Sequence, residues 1–215
     1  MPPIVAIIGK SGSGKTSLIQ KLVPELRSRG YRVATIKHIH HNVTLDQPDK
    51  DSWRHVQAGS EATAIRSHDR VVVIRPVTKP ATVEQIAYYL GEGYDIVLAE
   101  GFKESEAPKI EVHRKSVGPL FTDIKKLVAT VTDEPLPTNT RQFSPEDIKG
   151  LADLLEEGFI KPQRKRAVVY INGAPVNLPG FPKELIRNTL LGMVASLKGI
   201  GQVNSLEIFL RENPE

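Results

Sequence analysis

The sequence predicts an α/β fold, with a mostly parallel sheet flanked by helices and a small ββαβ appendage at the C-terminal end. Three observations predict it. An apolar run at 4–8, a helical pattern and a second β-rich run at 32–36 make a βαβ unit, whose strands run parallel. The continuous apolar run at 94–99 reads as a strand covered on both faces. Past a basic, proline-bearing stretch at 161–166, two β-rich pieces flank Asn172-Gly173, a strong hairpin signal.

The first helix spans about 15–29. Leu18, Ile19, Leu22, Val23 and Leu26 form its apolar stripe, and Gly30 ends it. A polar, histidine-bearing segment covers 37–51. A short helix at 52–58 follows, with Ser52 as N-cap and Gly59 after it. Runs 62–67 and 71–75 flank His68-Asp69-Arg70 as a hairpin. A helix at 82–90 leads into strand 94–99, and further strands fall at 109–113 and 127–132. Ser144 as N-cap and Pro145 at the first helical position open a helix reaching about 157. In the appendage, strands 167–171 and 174–178 precede a helix at 182–197 and a last strand at 205–210. The expected domains are 1–160 and 167–215, with 161–166 as linker. The second is small enough that folding alone is marginal.

Composition narrows the chemistry. There is no cysteine among the 215 residues, which excludes disulfides, zinc–thiolate sites and thiol nucleophiles. The start lacks a basic region, and its apolar run is too short for a signal peptide or a membrane span. A cytoplasmic protein that avoids membranes is expected. The formal charge of +4 is spread along the chain, which argues for an ordinary solvated surface rather than a nucleic-acid platform.

Residues 9–16 read GKSGSGKT directly after the first strand, the P-loop pattern G-x-x-x-x-G-K-[ST] in the context its mechanism needs. The glycines let the backbone curl, so that N–H groups point inward at a phosphate. Lys15 supplies a charge for the β- and γ-phosphates, and the Thr16 hydroxyl suits Mg²⁺. The helix start adds free N–H groups and partial positive charge. The expected phosphate-binding residues are Gly9, Ser11, Gly12, Ser13, Gly14, Lys15, Thr16 and Ser17, in a P-loop NTPase fold.

Three clusters follow, all at strand ends. Lys37-His38-Ile39-His40-His41 begins where the second strand stops, and Asp46 lies beyond it. In open α/β sheets ligands bind at that edge, so Lys37, His38, His40 and His41 are candidates to meet phosphates. Imidazoles with carboxylates are also a candidate transition-metal set. Glu100-Gly101-Phe102-Lys103 ends strand 94–99. Glu100 stands where such proteins hold Mg²⁺ through water or position an attacking water. With Lys15 it forms the expected catalytic pair, and Thr16, Glu100 and Asp46 form the expected Mg²⁺ set. Asp133 ends the strand at 127–132. An aspartate there could accept the N1–H and amine of guanine, a donor pair adenine lacks; Asp133-Glu134-Pro135 is equally a turn former.

GKSGSGKT, KHIHH with DQPDKDSWRH and AG, YDIVLAEGFK, and ATVTDEP with GLADLL together resemble the MobB family, over about residues 3–157. The resemblance implies a GTP-binding protein that acts in the last step of molybdenum-cofactor synthesis. In that step a separate MobA-like guanylyltransferase attaches GMP to molybdopterin, giving molybdopterin guanine dinucleotide. It further implies a homodimer, weak GTPase activity, GTP and Mg²⁺ as ligands, and molybdopterin or a molybdoenzyme as further candidate partners. The ββαβ part looks like an extension present in some members, and no role carries over to it or to Lys10. Two other functions fit parts of the pattern. One is a nickel or zinc metallochaperone GTPase using His38, His40 and His41. The other is a small-molecule P-loop kinase recruiting Arg66, Arg70 and Arg75.

Overall fold

The computed structural model describes residues 1–39, 46–163, 167, 169–171, 174–176, 178, 180–203 and 206–208. The chain divides into two compact units, Met1–Arg164 and Lys165–Glu215.

The first unit is built on a six-stranded sheet. Its strands are β1 (Ile4–Ile8), β2 (Val33–Lys37), β5 (Ile96–Glu100), β6 (Lys109–Val112), β7 (Leu127–Val131) and β8 (Gln142–Phe143). Their order is β2-β5-β1-β6-β7-β8, and every neighbouring pair is parallel. β3 (Thr63–Arg66) and β4 (Val71–Ile74) form a separate antiparallel hairpin, as their flanking turn predicts. The helices are α1 (Lys15–Ser28), α2 (Asp51–Gln57), α3 (Val83–Leu90) and α4 (Ile148–Leu155).

β1 lies at the centre and is buried on both faces. Val5 and Ile7 point to the layer that holds Leu18, Ile19, Leu22 and Leu26 of α1 with Leu151 and Leu155 of α4. Ala6 and Ile8 point the other way, towards Ala107. α3 covers the β2–β5 side through Val83 and Ala87, against Ala34, Ile36, Val97 and Ala99. Full burial of each leucine contributes about 2 kcal/mol, so the α1 stripe anchors the helix that starts at the phosphate loop. Arg29, just past α1, ties that helix to α4. Its Nη1 donates to Asp153 at 2.6 Å and to Glu156 at 2.9 Å, and its Nε donates to Glu25 at 2.9 Å. The bond from Arg29 leads in holding the Glu156 carboxyl down at about 2.

Several local expectations change. Ser52 is not the cap of α2: Lys50 holds that position, and the Ser52 hydroxyl donates to Asp46 Oδ1 at 2.8 Å. α4 starts later than Ser144-Pro145 suggests. Ser144 and Pro145 instead form a turn closed by Asp147 N–H on Ser144 O, and the Asp147 carboxylate caps the helix through Gly150 N–H. The helix then widens into a π-turn at Glu156–Ile160 and a 3₁₀ turn at Lys161–Gln163. β8 is two residues long, too short for any periodic pattern.

In the second unit β9 (Val169–Ile171) and β10 (Ala174–Val176) pair antiparallel, and α5 (Gly180–Ala195) follows. Asn172-Gly173 and residues 164–166 of the expected linker lie outside the described residues, and 161–163 form the 3₁₀ turn that follows α4. The strand expected at 205–210 is absent at 206–208, and its remaining positions are not described. Among the described residues no helix is long and apolar enough to cross a membrane.

Candidate functional site

β1 delivers residues 9–14 at the C-terminal edge of the sheet, and α1 starts directly from them at Lys15. Gly9, Gly12 and Gly14 have φ of 146°, 79° and 98°, angles that side chains with a Cβ adopt rarely. At Gly9 space also forbids a side chain: a Cβ there would stand 2.4 Å from Val112 O and 2.6 Å from Ser13 Oγ. Ser13 is buried in the bend, whereas Ser11, Thr16 and Ser17 are exposed. Lys15 folds back over the loop, donating to Gly9 O and Lys10 O, each at 2.9 Å. Both carbonyls are thereby turned to the ammonium, an arrangement that leaves loop amides to face an anion. Burial lowers the Lys15 pKa, with Lys37 adding to that effect and Glu100 opposing it.

Parallel register brings the acid to the loop. Glu100 ends β5 opposite Ile7 of β1 on one side and Lys37 of β2 on the other. Thr16 Oγ1 lies 2.9 Å from Glu100 Oε1 and 3.0 Å from Oε2, and Lys37 Nζ is 3.5 Å from Oε1. The chain turns sharply after Glu100, with Gly101 at φ 93° and Phe102 at φ 58°. That turn lets His38 in: its N–H donates to Glu100 O at 3.0 Å, and its ring stacks on Phe102 at 4.9 Å. Lys15, Thr16, Lys37, His38 and Glu100 therefore meet at one edge.

Other expected residues fall elsewhere. The Asp46 carboxylate is engaged by Ser52, and its Oδ2 is buried with no hydrogen-bond partner. His40 and His41 lie outside the described residues. Among the described residues no group of three or more His, Cys, Asp or Glu side chains is placed to hold a metal. Thr16 and Glu100 offer hard oxygen donors side by side, a set that fits Mg²⁺, which keeps several waters and takes few protein ligands. Arg70 pairs with Asp69, and Arg75 stacks over Tyr89 at 4.5 Å.

Asp133 sits just past β7 and makes structural contacts. Its Oδ1 accepts Lys115 N–H at 3.0 Å, and Oδ2 lies 3.7 Å from Arg114 Nη1. The Lys115 bond leads in holding this carboxyl below its ordinary value. Arg114 is a residue that sequence reasoning missed. It leaves the end of β6 and its Nε donates to Ser13 O at 3.3 Å, inside the phosphate loop. No local pattern marks it, because its loop partner is 101 positions away.

A central parallel strand, a glycine loop closed by its own lysine, and a strand-end acid on the loop threonine define a P-loop NTPase fold. The model of the family "Molybdopterin guanine dinucleotide synthesis protein B" (MobB) matches residues 4–133. The molybdopterin-guanine dinucleotide biosynthesis adapter protein of Haemophilus influenzae is 38% identical over 156 residues, 72% of this chain and 88% of that protein. Its Escherichia coli counterpart is 33% identical over 167 residues, covering 75% of this chain and 95% of the relative. A crystal structure of molybdopterin-guanine biosynthesis protein B superposes with a TM-score of 0.58 at 27% identity, over 73% of this chain and 99% of that one. The chain belongs to the MobB family.

Proposed function

We propose that the protein is an accessory GTP-binding protein of molybdenum-cofactor biosynthesis. It assists the guanylyltransferase that attaches GMP to molybdopterin, and it works in the cytoplasm. The observation that carries this reading is the junction of Lys15, Thr16 and Glu100 at the C-terminal edge of the sheet, in a chain of this family. Relatives named as adapter proteins of the same biosynthesis support the pathway.

In this reading the loop amides and Lys15 cradle the β- and γ-phosphates. Thr16 and Glu100 would hold Mg²⁺, which supplies neutralising charge to the phosphate oxygens when bound. Glu100, in contact with Thr16, would also orient a water for a weak GTPase activity. Lys37 and His38 flank the same acid and are the residues through which the histidine segment would sense the γ-phosphate. A homodimer belongs to the same proposal. The β3–β4 hairpin supports it, since Val71, Val72 and Val73 are all exposed there.

Calorimetric titration with GTP, GDP and ATP in Mg²⁺ tests the reading. Tighter binding of GTP than of ATP is expected; equal affinities would remove the guanine assignment, and no binding of any nucleotide would remove the site.

A further inference from the structure

The phosphate loop is held from behind by a charged pair that lies outside the sequence motif. Arg114 donates through Nε to Ser13 O at 3.3 Å, and its Nη1 lies 3.7 Å from Asp133 Oδ2. Its Nη2 packs 3.6 Å from where a Cβ of Gly14 would stand. Asp133 is itself fixed by Lys115 N–H at 3.0 Å, at the start of the 3₁₀ turn that follows Arg114. Three strand ends are thus linked: the loop after β1, the arginine after β6 and the aspartate after β7.

Ser13 C=O and Gly14 N–H belong to one peptide unit. A guanidinium on the oxygen draws electron density towards it and makes the N–H at the other end a stronger donor. Lys15 holds the carbonyls of Gly9 and Lys10 in the same way. Cations therefore engage three loop carbonyls, Lys10 O also accepting Ser13 N–H at 3.2 Å.

We infer that Arg114 is a positioning residue for phosphate binding, polarising and fixing the Ser13–Gly14 peptide. Asp133 acts through Arg114 and does not read the guanine base. The inference rests on the loop being a triphosphate site. It assigns the base preference to residues other than Asp133, whose carboxylate is already engaged by Lys115 N–H and Arg114.

The test uses the full chain and three probes: inorganic tripolyphosphate, GTP and ATP. Losing one charged hydrogen bond at the loop should weaken all three about tenfold in Arg114→Ala, leaving the GTP-to-ATP ratio unchanged. Arg114→Lys keeps the charge but not the fork that reaches Ser13 O and Asp133 together, so it should weaken all three by less than Arg114→Ala does, again with the GTP-to-ATP ratio unchanged. Asp133→Asn should weaken all three by less than Arg114→Ala does. Thermal melting separates folding from binding: a purely structural role would lower the melting temperature while tripolyphosphate affinity of the folded protein stayed the same, and that result overturns the inference. So does a loss of GTP binding alone in Asp133→Asn, which would make Asp133 a base reader. If Arg114→Ala does not fold, Arg114→Lys and Asp133→Asn carry the test. Should the parent chain bind tripolyphosphate no better than Lys15→Ala does, the triphosphate reading falls and this inference with it; parent binding with unchanged variants sinks the inference alone.

Discussion

The hydroxyl of Thr16 lies within 3.0 Å of both carboxylate oxygens of Glu100, although 84 residues separate the two in sequence. Parallel pairing of β1 with β5 creates this contact, since it sets Glu100 opposite Ile7, two residues before the loop begins. Thr16 and Glu100 are thus positioned as a pair by the sheet.

Replacing the acid tests that pair. Glu100→Gln keeps shape and hydrogen bonding but removes the charge. GTP affinity in Mg²⁺ should fall about tenfold, while affinity measured with a chelator should change little. Equal effects in both conditions would show that Glu100 acts without a metal.

Gly9→Ala should be among the most damaging single changes in the loop. The new Cβ would lie 2.4 Å from Val112 O at a backbone angle that alanine disfavours. A stability loss of about 2 kcal/mol or more is expected, together with loss of tripolyphosphate binding. Chemical denaturation and calorimetry measure the two effects separately.

Arg29 should make the protein sensitive to acid in a defined window. Glu156 titrates at about 2 in the folded state, down from an ordinary 4.5, chiefly through Arg29. A depressed carboxyl stabilises the fold above the unfolded value and loses that contribution as pH falls through the folded one. The melting temperature of Arg29→Ala should therefore trail the parent most above about pH 4.5, with the gap narrowing towards about pH 2. A gap independent of pH across that range would mean that packing, not the ion pairs, accounts for the loss.

Much of the site was legible in the chain itself. Residues 4–16 combine an apolar run with GKSGSGKT, and both signals are local, so β1, the loop and the start of α1 fall where the pattern puts them. Glu100 was legible because an acid interrupts an apolar run at a strand end. Arg114 was not, since a single arginine after a strand has no periodicity, and only the order β1-β6-β7 brings it to Ser13. Ser144-Pro145 misled because the same residues suit a helix start and a turn, and the Asp147 carboxylate decided between them. Ser52 misled similarly: Asp46, six residues earlier, takes its hydroxyl.

The measurement that bears most directly on the adapter role is complex formation with the purified guanylyltransferase, by pull-down or analytical ultracentrifugation, with and without GTP. A complex that strengthens with GTP and is lost in Lys15→Ala is the predicted result. No complex in either condition, with GTP binding intact, would contradict the adapter role and leave a nucleotide-binding protein whose partner lies elsewhere.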